Sequence, residues 1–408
     1  MAADKRPRPS SPSPPATAAV SKVLDDSDLL HEILLRLDFP TWLVRAALVC
    51  KRWLSHVSDP AFLRRFQERH PPRLLGFYLE SACKAFQQFV PLPDLPPELA
   101  AVARTASFDL TAEFYMHTSI EHCRNGVLLL RHTGYDKFIY QVRSPLNLAR
   151  DGAVVATCCK SMADEERHYG YMLLPNDGGH GMSVNFVGSH LELFAKVRSF
   201  QDGVCHDLRT SASIELPAHW KVSLHNRSLL HNGKLYMLGT TGYILGLELA
   251  STRLFFIELP DAIRYEPPGS LQLSLKMSHQ TVNSGVYLLN LEGLKINVWL
   301  RSTDDNSSWL LVDTICLRQV FGHLVKPSWE SGASRINLAG SGDNAEFVFL
   351  EVDAEIFCMY IRSRTVVKVY EMEYKDDQLF QIYPFMMVWP PIFPALIQRR
   401  DQVEISES

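Results

Sequence analysis

The chain has 408 residues, 46% of them hydrophobic, and its 45 acidic and 41 basic side chains give a formal charge of -4. That length supports more than one domain, and the charge balance leaves no broad basic surface to neutralise phosphates. No run approaches the roughly 18 consecutive apolar residues of a membrane span, and the first residues lack the apolar stretch of a signal peptide, so neither nucleic acid nor membrane is an expected partner and the expected location is cytoplasm or nucleus.

Residues 1–23, which open "MAADKRPRPSSPSPPATAAVSK", are rich in Pro, Ser and Ala without periodic apolar positions, and they read as a disordered tail. Lys5, Arg6 and Arg8 fit either a nuclear-import signal or a solvated basic tail. From Leu24 the spacing predicts a helix, with Leu29, Leu30, Ile33, Leu34 and Leu37 on one stripe. Asp25, Asp26, Ser27 and Asp28 supply capping oxygens and negative charge at its start, and Pro40 is expected to end it. Thr41 then caps a second helix carrying Leu43, Val44, Ala47 and Leu48, and a third runs through Trp53, Leu54 and Val57 to "SDP" at 58–60. Three short helices in about 45 residues make a core too small to be comfortable alone, so the stripe calls for a partner.

Beyond Pro72 the chain becomes short runs of Val, Leu, Ile, Phe and Tyr punctuated by Gly, Asn and Asp, which predicts strands. "CRNGVLLL", "LHNGKLYML" and "VNSGVYLL" each place a small turn before an apolar strand, and Gly126, Gly233 and Gly285 fit a unit of roughly 50 residues with one degenerate copy between the first two. "GVCHDLRTSASIELP", ending at Pro217, matches "ILGLELASTRLFFIELP", ending at Pro260, as strand, polar turn, strand and stop, and "FCMYIRSRTVVKVYEM" repeats the theme. These repeats predict a β-propeller, with room for roughly six blades between Pro71 and Pro394. An irregular β-sandwich is the alternative. Closure of a propeller would set "RLLGFYL" at Arg73–Leu79 beside the strands near Phe357–Tyr370. The expected division is 1–23 tail, 24–70 helical module, 71–398 β domain and 399–408 tail.

The segment "LLHEILLRLDFPTWLVRAALVCKRWLSHVSDPAFLRRF", Leu29 to Phe66, resembles an F-box, the helical module that docks on the Skp1 adaptor of cullin-RING ubiquitin ligases. Val49, Cys50, Lys51 and Trp53, then Asp59, Pro60 and Phe62, stand in the family's order and spacing. The start departs from it, with Leu24 and Asp25 where the family has Leu-Pro. The remainder is similar to the F-box-associated β domains of large plant families, through the turn "CRNGVLLL" in place of their "C-N-G-L-L" and the tract "RLLGFYLESACKAFQQFVPLPDLPP". The resemblance implies a Skp1-binding surface made by Leu29, Leu30, Ile33, Leu34, Leu37, Pro40, Leu43, Val44, Val49, Cys50, Lys51 and Trp53, with Lys51 and Arg52 at its rim. It implies a non-catalytic substrate receptor that carries an unknown protein target on its β domain. The alternative is an interaction or carbohydrate-binding propeller without a ubiquitin role.

No G-x-S-x-G, Gly-rich phosphate loop or H-E-x-x-H occurs, so hydrolase, kinase-like and zincin chemistry has no motif to stand on. The eight cysteines, Cys50, Cys83, Cys123, Cys158, Cys159, Cys205, Cys316 and Cys358, lack zinc-knuckle spacing and read as small core residues. No metal, cofactor or catalytic residue is expected. "DEERH" at 164–168 and the glycine-rich "NDGGHG" at 176–181 read as loops. "NRS" at Asn226 and "NSS" at Asn306 match the glycosylation pattern, which has no meaning without secretion.

Overall fold

A computed structural model of the chain describes residues 20, 22–70, 73–81, 88–106, 117–135, 137–146, 154–159, 167–173, 181–188, 192–201, 204–216, 228–238, 242–263, 274–279, 285–302, 308–331, 334–372, 379–391 and 393. Residues 1–19 and 21, with the basic cluster Lys5, Arg6 and Arg8, the C-terminal tail 399–408, Cys83, Asn226 and Asn306 lie outside them, as do the side chains of "DEERH" and of Cys158, Cys159 and Cys205, while Val20, Lys22 and Val23 of the expected N-terminal tail are helical. The chain divides into two compact units, one taking residues up to Arg73 and from Met387 onward, the other Leu74–Met386. No helix among the described residues is long and apolar enough to cross a membrane.

The first unit is helical: α1 Ser27–Leu34, α2 Pro40–Ala47, α3 Lys51–Val57 and α4 Pro60–Arg69. Asp26 caps α1, its carboxylate accepting from the backbone N–H of Asp28 at 2.9 Å and of Leu29 at 3.0 Å. Pro40 does not end that helix; it opens α2 as its first residue, where its missing N–H would have no helical partner and its fixed φ suits a start. Thr41 is therefore no cap. A fourth helix follows "SDP", where three had been expected, because Asp59 caps Ala61 and Phe62 at 2.9 Å each and Pro60 begins the turn. Leu30, Leu34, Leu43, Val57, Phe62 and Phe66 form the core. Trp389 and Phe393 pack against that core, and the Trp389 indole lies parallel to Phe66 with centroids 5.7 Å apart. The β domain thus stops near Met386, short of the expected 398, because the segment after it belongs with the helices.

The second unit is a propeller. Five sheets run in simple sequence order: β3–β6, β7–β10 (with β7 Arg167–Leu173 and β8 Gly181–Gly188), β12–β15 (with β13 Lys234–Leu238), β16–β19 (with β17 Val286–Glu292, β18 Lys295–Arg301 and β19 Leu310–Cys316) and β20–β23. They span Val127–Thr133 (β4) and Lys137–Arg143 (β5) between His117–Arg124 (β3) and Val154–Cys159 (β6), and the other blades repeat that antiparallel pattern. The sixth sheet is ordered β2-β1-β24, from Gln88–Pro91, Leu74–Ser81 and Leu379–Met386. The first strand of each blade faces its neighbours: β24 touches β3 and β20, β3 touches β7, and Lys276-bearing β16 (Leu275–His279) touches β12 (Ser228–His231) and β20 (Ile336–Ser341). Among the described residues this makes six blades, their inner strands linked in the order β7-β3-β24-β20-β16-β12 about a central channel.

Closure differs from the expected partner. β1 pairs with β24, from Leu74↔Met386 to Ser81↔Leu379, while Phe357 and Tyr370 lie in β22 (Glu355–Tyr360) and β23 (Thr365–Glu371) of the fifth blade. The reason is radial position: β23 is an outer strand, and only an innermost strand can complete the ring. A second difference concerns "GVCHDLRTSASIELP". Its two strands, β10 (Val204–Thr210) and β11 (Ile214–Glu215), both pair with β9 (Glu192–Gln201), so they are one outer strand broken at 211–213 rather than a hairpin. Ser211 holds the break, its N–H donating to Ala195 O and its Oγ accepting from Ala195 N–H at 2.8 Å. "ILGLELASTRLFFIELP" and "FCMYIRSRTVVKVYEM" are hairpins as expected, β14–β15 (Tyr243–Glu248 and Arg253–Glu258) and β22–β23. α5 (Pro97–Ala106) lies against β1, where Tyr78 donates to Ala106 O at 2.8 Å.

Candidate functional site

Two places hold side chains that packing alone does not account for, one in each unit. In the helical unit, α1 presents opposite faces. Leu30 and Leu34 are fully buried, whereas Leu29 and Ile33, one position earlier, are 47% and 39% exposed. Beyond α2, Leu48 and Val49 are 67% and 62% exposed, and Cys50 and Lys51 are exposed beside them. Trp42 is also exposed, with the Arg45 guanidinium 4.4 Å from its ring centre.

The twelve residues expected to meet an adaptor therefore divide. Leu29, Ile33, Val49, Cys50 and Lys51 have surface to offer; Leu37, Val44 and Trp53 are half-buried; Leu30, Leu34, Pro40 and Leu43 are closed inside the unit's own core. A 100° helical step separates Leu29 and Ile33 from Leu30 and Leu34, so what reads as one stripe is the adjoining edges of an inner and an outer face. Cys50 is not a core thiol, although Cys358 is. Arg52 is no rim charge either: it donates to Leu24 O and Asp25 O at 2.7 Å each, tying α3 to the chain before α1.

In the propeller, the innermost strands end in polar residues that converge on one end of the channel. Arg124 closes β3, His231 closes β12, His279 closes β16, and Asp343 follows β20. Asn125-Gly126 and Asn232-Gly233, which follow two of them, have positive φ at both residues, the tight turn that Asn-Gly favours. His279 Nδ1 lies 3.0 Å from Asp343 Oδ1, and Arg124 reaches Leu230 O at 2.7 Å and His279 Nε2 at 3.5 Å. An N–H at Nδ1 donating to Asp343 leaves Nε2 as the acceptor for Arg124, which fixes the tautomer.

His231 lies over His279, ring centres 5.0 Å apart, and its buried Nε2 has no hydrogen-bond partner. Burial, with His279 and Arg124 beside it, pulls its pKa down to about 4. His122 is likewise held at about 4 by burial and by Arg124. Burial also lowers the Arg124 pKa, against the pull of Asp343. Asp343 is pushed up by burial, but the His279 hydrogen bond, with Arg124 and His231, outweighs this and holds the carboxyl below its ordinary range. Glu121, raised by burial, faces Arg131 at 3.1 Å. The cavity bounded by these strands is about 170 Å³.

Neighbouring blades are bolted together beneath it. Ser278 Oγ donates to Gly342 O at 2.6 Å and accepts from Ala345 N–H, while Tyr383 donates to Ile120 O at 2.6 Å. Lys276 Nζ reaches Gln381 Oε1 at 3.0 Å. Sequence reasoning missed this cluster, although Arg124 and His231 each precede an Asn-Gly turn of the recognised repeat. Among the described residues no group of three or more His, Cys, Asp or Glu is placed to hold a metal ion.

Residues 26–65 match the F-box domain, and residues 119–393 match the family described as F-box protein AT5G49610-like, beta-propeller. A curated relative, F-box protein At5g07610 of Arabidopsis thaliana, is 32% identical over 120 residues, which make up 28% of this chain and 27% of that protein. Among solved structures, prolyl oligopeptidase B from Galerina marginata is 10% identical with a TM-score of 0.36, covering 79% of this chain and 43% of its own. An uncharacterised protein of Listeria monocytogenes EGD-e is 8% identical with a TM-score of 0.32, covering 67% and 95%. Both likenesses are too slight to bear on fold or function.

Proposed function

This chain belongs to the F-box proteins with an AT5G49610-like β-propeller, and on that premise we propose that it is a non-catalytic substrate receptor of a Skp1-cullin-F-box ubiquitin ligase. The helical unit binds a Skp1-type adaptor and the propeller presents a protein target. The observation that supports this is the outward apolar face of Leu29, Ile33, Leu48 and Val49 on a unit that already has its own core. Packing within the unit leaves these residues in contact with water, which costs about 25 cal/mol for each Å² of apolar surface that a partner would cover. Cys50 and Lys51 border the patch, and a rim cation sets orientation and association rate more than affinity.

The test is binding of the full chain to a purified Skp1-type adaptor, compared with Leu48→Asp and Val49→Asp. Each carboxylate would be desolvated without a partner in the complex. Affinity should fall at least about tenfold, or ~1.4 kcal/mol, with melting unchanged because both positions are exposed in the free protein. Leu37→Asp makes a contrast, since Leu37 packs against the core and its replacement should harm the unit itself. Adaptor binding that survives both exposed substitutions, or no binding by the folded wild type, would overturn the proposal.

A further inference from the structure

We infer that the propeller channel binds a carboxylate, held by Arg124 and His122 at the end of the innermost strands. Both residues lie on β3 two positions apart and both line the cavity. Arg124 uses NH1 on Leu230 O and NH2 on His279, its remaining N–H groups have no hydrogen bond to a described residue, and the side chain lines the cavity. His122 makes no hydrogen bond to any described residue, yet it borders the same space.

Size narrows the ligand. At about 170 Å³ the cavity is smaller than the roughly 300–1,000 Å³ of sites for drug-sized ligands. It suits one short acidic group, and a carboxylate matches the forked guanidinium two-point. Asp343 sets the limit on affinity. Its charge opposes an incoming anion, and the His279 Nδ1–H that engages it at 3.0 Å keeps it turned to that ring. Lys276, also lining the cavity and held by Gln381, adds a positive charge from the β16 side. The carboxylate could come from a free small acid or from the terminus of a protein target, and the chemistry of recognition is the same. The inference does not depend on the adaptor reading.

The experiment is calorimetric titration of the full chain at low salt with three probes: succinate, a short N-acetylated peptide of uncharged side chains with a free C-terminal carboxylate, and the same peptide amidated. Succinate or the free-acid peptide should bind and the amidated peptide should not. Binding of succinate alone assigns the site to a free acid; binding of the free-acid peptide alone assigns it to a protein terminus. Arg124→Gln should weaken binding at least tenfold, and Asp343→Asn should tighten it at least threefold. Because Arg124 also joins β3 to Leu230, His122→Gln serves as the variant that leaves those hydrogen bonds untouched, and it should weaken binding at least threefold at unchanged melting temperature. Silence of succinate and free-acid peptide at millimolar concentration would overturn the inference. So would binding unaffected in both Arg124→Gln and His122→Gln, or a site that Asp343→Asn abolishes, since that pattern marks a cation.

Discussion

Removing the Trp389 side chain should destabilise the helical unit while sparing the propeller. Trp389 is half-buried, packs on the core of α1–α4, and stacks on the fully buried Phe66 at 5.7 Å with 6° between the rings. An aromatic of this size buries on the order of 150 Å² or more, which at about 25 cal/mol/Å² is worth ~3–4 kcal/mol. Incomplete burial lowers that figure and ring stacking adds about 0.5–1.5 kcal/mol, so Trp389→Ala should cost ~3 kcal/mol. A unit of about fifty ordered residues, at roughly 0.05–0.15 kcal/mol each, has only ~3–8 kcal/mol in total. Hydrogen exchange read by mass spectrometry separates the units: protection of α1 and α4 amides should drop about a hundredfold, while β21 (Phe347–Val352) and β22 stay protected. Unchanged protection of α1 and α4 would show that the helices stand without the 387–393 segment. The same reasoning limits an isolated fragment of residues 24–70, which lacks Trp389 and should be weakly folded.

Three further outcomes follow from the geometry of the propeller. Gly76→Ala would place a Cβ 2.5 Å from Val90 O and 2.6 Å from Phe89 Cζ; since a backbone oxygen between β1 and β2 cannot swing away, urea unfolding should show a loss of about 1–3 kcal/mol, and an unchanged midpoint would mean the closing sheet is looser than described. Glu351 is buried and accepts from Asn337 Nδ2 at 2.7 Å and Arg335 at 2.8 Å; Glu351→Ala orphans the buried Asn337 amide, and its cost in the same assay should be about 1–3 kcal/mol, with a smaller loss in Glu351→Gln. His231, only 5% exposed and held to a pKa of about 4, refuses a proton that the unfolded chain accepts below about 6.5. Its contribution is therefore intact above pH 6.5 and is lost as pH falls toward 4, with a slope of up to ~1.4 kcal/mol per unit; His231→Gln should flatten that slope, and parallel pH profiles for the two proteins would contradict it.

The legible parts of this fold are those written in local spacing. Asp26 followed by helical periodicity, or Asn-Gly before an apolar strand, carries its structure within a few residues, whereas Asp59-Pro60 after the third helix reads as a stop and in fact opens a fourth. Gly126 and Gly233 each mark the first hairpin of a blade, and the second blade, β7–β10, fills the interval between them. What could not be read is set by partners far away in sequence. "LFQIYPFM" gives no sign of joining β1 three hundred positions earlier, and its Pro384 would argue against a central strand. It is tolerated because β24 is the innermost strand, paired with β1 alone in its sheet, so one side carries no ladder. The outward apolar face of the helical unit was half legible for a similar reason. Periodicity identifies apolar positions on α1, but which of Leu29 and Leu30 faces inward depends on Phe62, Phe66 and Trp389. The channel cluster left a fainter trace, since the residue before each turn has a common place in the repeat and no common type.

The placement of Trp389 and of β24 sets the order in which the protein can be completed as it leaves the ribosome. Helices α1–α4 emerge first, yet their core lacks Trp389 until some three hundred residues later, and β1 waits as long for β24. Domains ordinarily fold in sequence from the N-terminal side during synthesis; here the first-made unit is finished after the last blade. A chain interrupted within the propeller would therefore carry an unfinished helical unit, and the outward apolar face of Leu29, Ile33, Leu48 and Val49 would stand on a finished core only in molecules whose propeller has already closed.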